Sequence, residues 1–136
     1  MKWDKDIYFQ TEFGKLYENS ELGKMQKFEL DTDEGKILHL FIMRKIPNDS
    51  KNEYYDIRTP YGYGGPLITT VGDDKSKLIK HFHKAFKEYC FENNIVSEFI
   101  RFHPIAGNAL DFSRIYDICY NRYNRIKIST LKRYDL

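Results

Sequence analysis

A chain of 136 residues with 41% hydrophobic and 16% aromatic residues carries enough apolar material for one folded domain, which excludes a largely disordered protein. Its 22 basic and 20 acidic residues leave a net charge of +2, which does not indicate a nucleic-acid-binding protein. No apolar run approaches the roughly 20 residues that a membrane-spanning helix needs.

The first half of the sequence predicts a short helix, a hairpin and two further strands. Apolar residues at helical spacing predict a helix over residues 11–17, with Thr11 as its N-cap. Residues 25–32 and 37–46 are predicted strands, and the polar connection between them, with Gly35 late in it, is typical of a hairpin. The apolar run of residues 37–43 predicts burial on both faces. Residues 54–59 and 67–71 are predicted strands on either side of a Gly-rich stretch.

The second half contains the strongest periodic signal, in residues 73–94. Its apolar residues between Leu78 and Cys90 fall on one stripe of an amphipathic helix. Asp73 or Asp74 is predicted to cap this helix, and the Asn pair at 93–94 to close it in the left-handed conformation. A strand is predicted for residues 95–105, a short helical piece for 111–116, and a last strand within 118–128 before a polar tail. This order predicts an α/β or α+β fold, with one long helix packed on a sheet.

The two cysteines, Cys90 and Cys119, fall in apolar patterns without metal-ligand spacing, so both are predicted to be buried thiols. Two such thiols and no signal peptide favour a cytoplasmic location.

The Gly-rich stretch is the first candidate functional segment. Residues 60–66 read Pro-Tyr-Gly-Tyr-Gly-Gly-Pro. Its glycines allow close approach of a ligand or a positive φ, and its tyrosines supply flat faces and hydroxyl groups. The spacing matches neither a dinucleotide-binding fingerprint nor a P-loop. A bulged strand and turn at a sheet edge explains the stretch equally well.

The second candidate is the strand at residues 98–104. Because side chains alternate along a strand, Arg101 and His103 are predicted to share one face, opposite Glu98, Ile100 and Phe102. An arginine beside a histidine can bind an anion and move a proton. Alternatively, Arg101 pairs with a carboxylate and His103 is a hydrogen-bonded structural residue before a turn.

Two further clusters carry less weight. His81 and His83 are two apart on a helix, so they share no face and predict no metal site. Residues 120–125 interleave aromatic, Asn and Arg side chains, which can contact RNA or phosphate, although a polar strand edge explains them as well.

Two stretches together resemble one family. Residues 55–66, YDIRTPYGYGGP, are similar to the YDxxxPYGYGGP segment of GNAT-like, Fem-type proteins, and residues 86–104 are similar to their FxxWCxENxIVSEFxRFHP helix and strand. Residues 6–17 resemble the N-terminal entry of the same proteins. The resemblance covers most of the chain, and the similar stretches follow one another in the same order as in those proteins.

The resemblance implies a GNAT-like fold, with a mixed, mostly antiparallel sheet that opens into a cleft for an acyl donor. It implies transfer from acetyl-CoA or aminoacyl-tRNA to an amine of a cell-wall or surface-polysaccharide precursor, without a metal. A base would take a proton from the amine, and backbone N–H groups would stabilise the oxyanion. A nucleic-acid partner is expected only if tRNA is the donor.

Such proteins usually carry two GNAT-like halves in tandem. Residues 1–136 are therefore expected to form one GNAT-like domain that corresponds to the first half. The chain has no RxxGxG/A loop, which usually cradles the pyrophosphate of CoA. A second GNAT-like domain, a second copy of the chain or another protein is expected to complete the site.

The predicted catalytic residues are His103 and Tyr63. The predicted substrate-binding residues are Tyr61, Gly62, Gly64, Gly65, Arg101 and Asn108. Two competing hypotheses stay open: a non-catalytic GNAT-like module that binds a substrate or partner, and an RNA-binding protein, which the small net charge disfavours.

Overall fold

The computed structural model describes residues 3–48, 51–120 and 125–130. Two short 3₁₀ turns at Trp3–Lys5 and Ile7–Phe9 precede the first helix. Within these ranges the α-helices are α1 (Thr11–Lys15), α2 (Lys75–Glu92) and α3 (Asn108–Asp111). The strands of the same ranges are β1 (Lys24–Thr32), β2 (Gly35–Ile46), β3 (Tyr54–Arg58), β4 (Leu67–Val71), β5 (Ile95–Arg101), β6 (Ile118–Tyr120) and β7 (Arg125–Thr130). The predicted cluster at 120–125 lies mostly outside the described residues, as do the predicted tail and the side chain of Cys119.

All seven strands belong to one mixed sheet with the order β1-β2-β3-β5-β7-β6, and β4 also pairs with β2. Every pairing of strands is antiparallel except that of β3 with β5, which is parallel. The hairpin predicted around Gly35 is confirmed, since β1 and β2 pair along their length. The fold is therefore α+β with a mostly antiparallel sheet.

On the side away from β1, β2 pairs with two strands. β3 pairs with its second half, where Arg58 lies opposite Ile42, and β4 pairs with its first half, where Leu67 lies opposite Leu38. The Gly-rich stretch joins β3 to β4 and passes beside β5, because Gly64 forms a parallel bridge with Phe102. The alternative of a bulged strand at a sheet edge is not what the structure has here, since the stretch is a bent connection with this single bridge and the register shifts lie at Lys36/Ile37 and Tyr55/Asp56.

The long helix α2 forms where the apolar stripe predicted it. The Asp74 carboxylate accepts the Lys77 N–H at 3.0 Å, which caps the first turn, and Asn94 follows the helix at a φ of 57°. Both features were predicted. The buried side of the helix consists of Leu78, Phe82, Phe86 and Cys90.

The two faces of the sheet are covered differently. The buried residues of α2 pack against alternate side chains of the sheet, among them Phe41, Ile57 and Ile100. Residues 3–23 lie over the opposite face, where Gly14 fits so closely against Met25 and Pro60 that a Cβ would overlap the Met25 side chain. The middle of β2 is therefore buried on both sides, as its apolar run predicted.

Three predicted boundaries were wrong. Gln10, not Thr11, is the N-cap of α1, and it makes no capping bond with its side chain. β5 ends at Arg101, because the backbone beyond it turns towards α3, and α3 begins at Asn108 before the predicted helical piece. Gly107 is the N-cap of α3 and adopts a φ of 73°, a left-handed conformation that glycine tolerates.

Among the described residues, no helix combines the length and the apolar character needed to cross a membrane.

The contact between α2 and the sheet yields a stability prediction. Phe82 is completely buried and meets Phe28, Phe86 and Phe112. We expect Phe82→Ala to lower the free energy of unfolding by about 3–5 kcal/mol, because it removes this packing and leaves a cavity. Chemical denaturation measures the loss. The matched variant Phe91→Ala, on the same helix but 47% exposed, should lose much less, and equal losses would contradict this account.

Candidate functional site

The Gly-rich stretch is held against the end of β5 by backbone and side-chain hydrogen bonds. Thr59 N–H donates to the Phe99 carbonyl at 3.1 Å, and its hydroxyl oxygen accepts the Arg101 N–H at 3.1 Å. Gly64 N–H then donates to the Arg101 carbonyl at 2.8 Å. The stretch thus leaves β5 after Thr59 and returns to it at Gly64, and of the residues between them Tyr61 is exposed while Pro60 is buried.

Asn108 fixes the second contact. Its Oδ1 accepts the His103 N–H at 3.1 Å, and its Nδ2 donates to the carbonyls of Gly64 at 2.7 Å and Pro66 at 3.2 Å. The side chain is completely buried. One amide group therefore joins the turn after β5 to the Gly-rich stretch, and these three bonds satisfy backbone groups that burial would otherwise leave unpaired.

Two glycines are required by the path of this stretch. Gly62 and Gly65 adopt φ values of 95° and 91°, which residues with a Cβ rarely adopt. A Cβ at Gly62 would overlap the ring of Tyr8, and one at Gly65 would lie 2.9 Å from Ile100. Gly64 and Gly65 are buried, so the backbone shape of the stretch is determined by packing.

Aromatic residues of the N-terminal segment cover the stretch and His103. The His103 ring lies 5.0 Å from Trp3, 5.7 Å from Tyr8 and 5.8 Å from Phe9, measured between ring centroids. Tyr63 completes the cluster at 5.6 Å from His103 and 5.4 Å from Tyr8. The cluster buries most of His103, of which 6% is exposed.

Both ring nitrogens of His103 face polar groups. Nδ1 accepts the N–H groups of Ile105 at 3.2 Å and Ala106 at 3.1 Å, so Nε2 carries the proton of the neutral ring. Nε2 lies 3.7 Å from Oδ2 of Asp6. Burial lowers the pKa of His103, and the Asp6 carboxylate partly opposes this. This arrangement agrees with the structural alternative for His103, whereas a role as base stays a prediction.

Tyr61 is the exposed member of the stretch, with 63% of its surface accessible. Its ring stacks on Tyr17 with centroids 5.4 Å apart and planes at 28°. This pair presents a flat aromatic surface to solvent.

Arg101 does not pair with a carboxylate within the described parts of the chain. Its Cζ lies 5.9 Å from the centroid of the Phe99 ring, and Arg58 on the neighbouring strand lies 5.6 Å from the same ring. Both arginines are half-buried. Nε of Arg58 is inaccessible to solvent and has no hydrogen-bond partner among the residues that the structure describes. Two guanidinium groups are thus held around one aromatic ring and can accept an anion.

A third arginine and a carboxyl group border this pair. Arg44 makes a bidentate ion pair with Asp56, with N–O distances of 2.9 and 3.0 Å. Burial raises the pKa of Glu21, while the charges of Arg58, Arg44 and Arg101 lower it. We name Arg44, Arg58, Arg101 and Glu21 the arginine cluster.

The predicted site residues divide into two groups. The side chains of Tyr61 and Arg101 reach solvent at the open face of the sheet, while Tyr63 is half-buried. The remaining predicted residues, namely Gly62, Gly64, Gly65, His103 and Asn108, form or hold the wall beneath them. The sequence did not indicate Arg58 or Glu21. The alternation of β3, which buries Ile57 and turns Arg58 to the Phe99 side, was the available signal for Arg58.

A second polar group lies deep in the core, away from this surface. His39 Nε2 and Glu98 Oε2 are 3.8 Å apart, and both side chains are almost inaccessible. Burial, followed by the charge of Glu98 and a hydrogen bond to it, holds the pKa of Tyr116 well above its ordinary value. No three His, Cys, Asp or Glu side chains within the described ranges meet where they could hold a metal ion.

The Asn108 bonds yield a second prediction. Asn108→Ala should lower the free energy of unfolding by about 2–4 kcal/mol, because it leaves one N–H and two carbonyls buried without this partner. Chemical denaturation measures the change. The exposed Asn19→Ala serves as control, and a loss no larger than that of the control would contradict the role assigned to Asn108.

The surroundings of His103 yield a third prediction. We expect its pKa to lie below the ordinary 6.5, and Asp6→Asn to lower it further by removing the favourable charge. Because the unfolded chain then binds the proton more tightly, His103 contributes a loss of stability as the pH falls through about 6.5. NMR titration of the imidazole measures the pKa, with the exposed Asp73→Asn as control. A pKa that Asp6→Asn leaves unchanged would contradict this geometry.

Comparisons with protein-family models, with curated proteins and with solved structures gave no match to the chain. The similarity of residues 55–66 and 86–104 to Fem-type proteins therefore stays a prediction.

Proposed function

We propose that this chain is the substrate-binding half of a GNAT-like, Fem-type acyl- or aminoacyltransferase, and that Arg101 and Arg58 hold an anionic part of its substrate. The donor is acetyl-CoA or an aminoacyl-tRNA, and the acceptor is an amine of a cell-wall or surface-polysaccharide precursor. A second GNAT-like domain or a second copy of the chain supplies the donor site.

The observation that carries the proposal is the pair of half-buried guanidinium groups around Phe99. Within the described residues neither group has a carboxylate partner, and Arg58 Nε is buried without a hydrogen bond. Withdrawing a charged group from water is unfavourable unless a partner compensates for the lost hydration. A bound anion provides that compensation, so the pair supports a binding role at this surface.

The surroundings of the pair support a substrate surface. Arg101 N–H donates to the Thr59 hydroxyl oxygen, and Tyr61, two residues further along the chain, stacks on Tyr17. A sugar ring or a peptide can lie on such an aromatic face while its charged group binds to the arginines. The α+β fold with one long helix agrees with what the resemblance to Fem-type proteins implies.

In the proposed reaction, this chain binds and positions the acceptor. The acceptor amine must lose a proton while it attacks the acyl carbon, and a group in the site must take that proton. Nδ1 of His103 already accepts two backbone N–H groups, and its Nε2 faces Asp6. His103 therefore serves by supporting the Gly-rich wall together with Tyr63, and the base belongs to the other half of the site.

The same observation favours a second candidate, a GNAT-like module that binds a substrate or partner without catalysis. Such a module needs the arginines and the aromatic surface but no base. The two candidates differ in what happens when an acyl donor and a second half are present, because only the transferase then forms an amide.

Calorimetric titration of the full chain tests the binding role. The panel consists of nucleotide sugars with a free amine, cell-wall peptide precursors and acetyl-CoA. We expect one acceptor class to bind, and Arg101→Ala to weaken it by about 10–100-fold, since one charge-assisted contact contributes about 1.5–3 kcal/mol. Arg114→Ala, which changes an exposed arginine elsewhere, should leave the affinity unchanged. Equal effects of the two variants, or no binding by any acceptor, would count against the proposal.

A further inference from the structure

A groove of about 390 Å³ lies beside the first turns of α2, between that helix and the segment that begins with α3. Its apolar lining consists of Ile79 from α2 and of Leu110 and Ile115 from the other side. Ile79 and Ile115 also pack against the hydrophobic core, so the position of this lining is fixed by the fold. The volume falls within the roughly 300–1,000 Å³ that is typical of ligand pockets.

Leu110 is the most exposed apolar residue of the groove, with 61% of its surface accessible. The single turn of α3 buries Asn108 and Ala109, so Leu110 is left on the outer side. An isolated exposed leucine is normal on a protein surface and needs no explanation. Leu110 differs from that case because Ile79 and Ile115 line the same groove.

The charged residues of the groove are mostly basic. Lys75, Lys80 and Arg114 contribute positive charges, and Asp111 contributes a negative one. Lys75 Nζ lies 2.6 Å from Asp111 Oδ1, so these two charges neutralise each other. Within the described part of the chain, Lys80 and Arg114 form no ion pair. Two positive charges therefore remain beside an apolar surface.

This combination distinguishes between classes of partner. Nucleic acid is disfavoured, because the described lining of the groove has no aromatic ring on which a base could stack and the chain has a net charge of only +2. A membrane surface is disfavoured, because it takes up protruding apolar side chains, whereas Ile79 and Ile115 are half-buried. A peptide that carries a bulky apolar side chain next to carboxylates matches both the lining and the charges.

From this complementarity we infer that the groove is a docking site for an acidic, amphipathic segment of a partner protein. An apolar side chain of the segment packs against Ile79, Leu110 and Ile115, and its carboxylates pair with Lys80 and Arg114. The docking role is separate from the proposed acyl transfer, since alternation along β5 turns the Arg101 side chain away from the face of the sheet that α2 covers.

Fluorescence anisotropy with the full chain tests the docking role. The probe is a short labelled peptide of leucine, glutamate and aspartate. One comparison peptide has serine in place of leucine, and a second has the corresponding amides in place of the acidic residues. We expect the probe to bind, and each comparison peptide to bind at least about tenfold more weakly, because each lacks one of the two complementary features.

Two exposed residues of the groove have matched counterparts at the end of α1. Lys80→Glu should weaken binding of the probe by about tenfold or more, because it reverses a charge. Leu110→Ser should weaken it by about 5–10-fold, because it removes an apolar contact. Lys15→Glu and Leu16→Ser make the same changes at exposed positions outside the groove and should leave the affinity unchanged. Because all four positions are exposed, the variants should keep the fold.

A charge exchange tests the pairing directly. In a further peptide, lysine replaces every acidic residue of the probe, and the unmodified chain should bind this peptide weakly. The double variant Lys80→Glu/Arg114→Glu should bind it at least about tenfold more tightly than the unmodified chain does, because opposite charges face each other again. An affinity that the double variant leaves unchanged would overturn the assigned pairing.

The remaining outcomes decide the occupant and the place. No binding of the probe, or equal binding of the probe and the amide peptide, would overturn the inference. Equal losses in Lys80→Glu and Lys15→Glu would remove the site from the groove. Without probe binding, vesicles of anionic phospholipid that bind through Lys80 would indicate a membrane contact, and self-association that Leu110→Ser abolishes would indicate a second copy. Probe binding as described, with no acceptor precursor bound, would remove the proposed function alone.

Discussion

The candidate surface depends on one buried amide, that of Asn108. Its three hydrogen bonds connect the turn after β5 to Gly64 and Pro66, which lie more than forty residues earlier in the chain. Without them, the bonds of Thr59 to Phe99 and Arg101 and the Gly64–Arg101 backbone bond would remain to hold the Gly-rich stretch beside β5. Because the stretch separates β3 from β4, the same amide also determines how two strands share one flank of β2. A single polar group inside the fold thus controls the shape of a large part of its surface.

The two faces of the sheet carry different kinds of chemistry. The α2 side is a dense aromatic core that also encloses His39 and Glu98, and its polar atoms have no route to a ligand. The opposite side combines three arginines, one raised-pKa carboxyl group and the exposed Tyr61. Alternation along β3 and β5 produces this separation, since Ile57, Glu98 and Ile100 point to the helix while Arg58, Phe99 and Arg101 do not.

Local patterns were sufficient to predict α2 and its cap, the hairpin at Gly35 and the burial of β2, because helical period, turn residues and apolar runs act over short distances. The same patterns could not predict the parallel pairing of β3 with β5 or the return of β4 to β2, which depend on contacts between distant segments. For the site, the alternation of side chains led to Arg101, but nothing local distinguished Arg58 from other strand arginines. The role of Asn108 was equally hidden, since its partners lie far away in the sequence. The resemblance to Fem-type proteins directed attention to the Gly-rich stretch, while the contacts of His103 became clear only in three dimensions.

The aromatic cover of His103 has a consequence for the order of folding. Trp3, Tyr8 and Phe9 are synthesised before the His103 ring on which they pack and before the Gly-rich stretch beside it. Contacts this far apart in sequence require a large loop to close, which slows their formation. During synthesis the N-terminal segment must therefore keep its apolar surface exposed until β5 and Asn108 are in place. Such an exposed aromatic segment is the kind of surface that chaperones bind and that promotes aggregation.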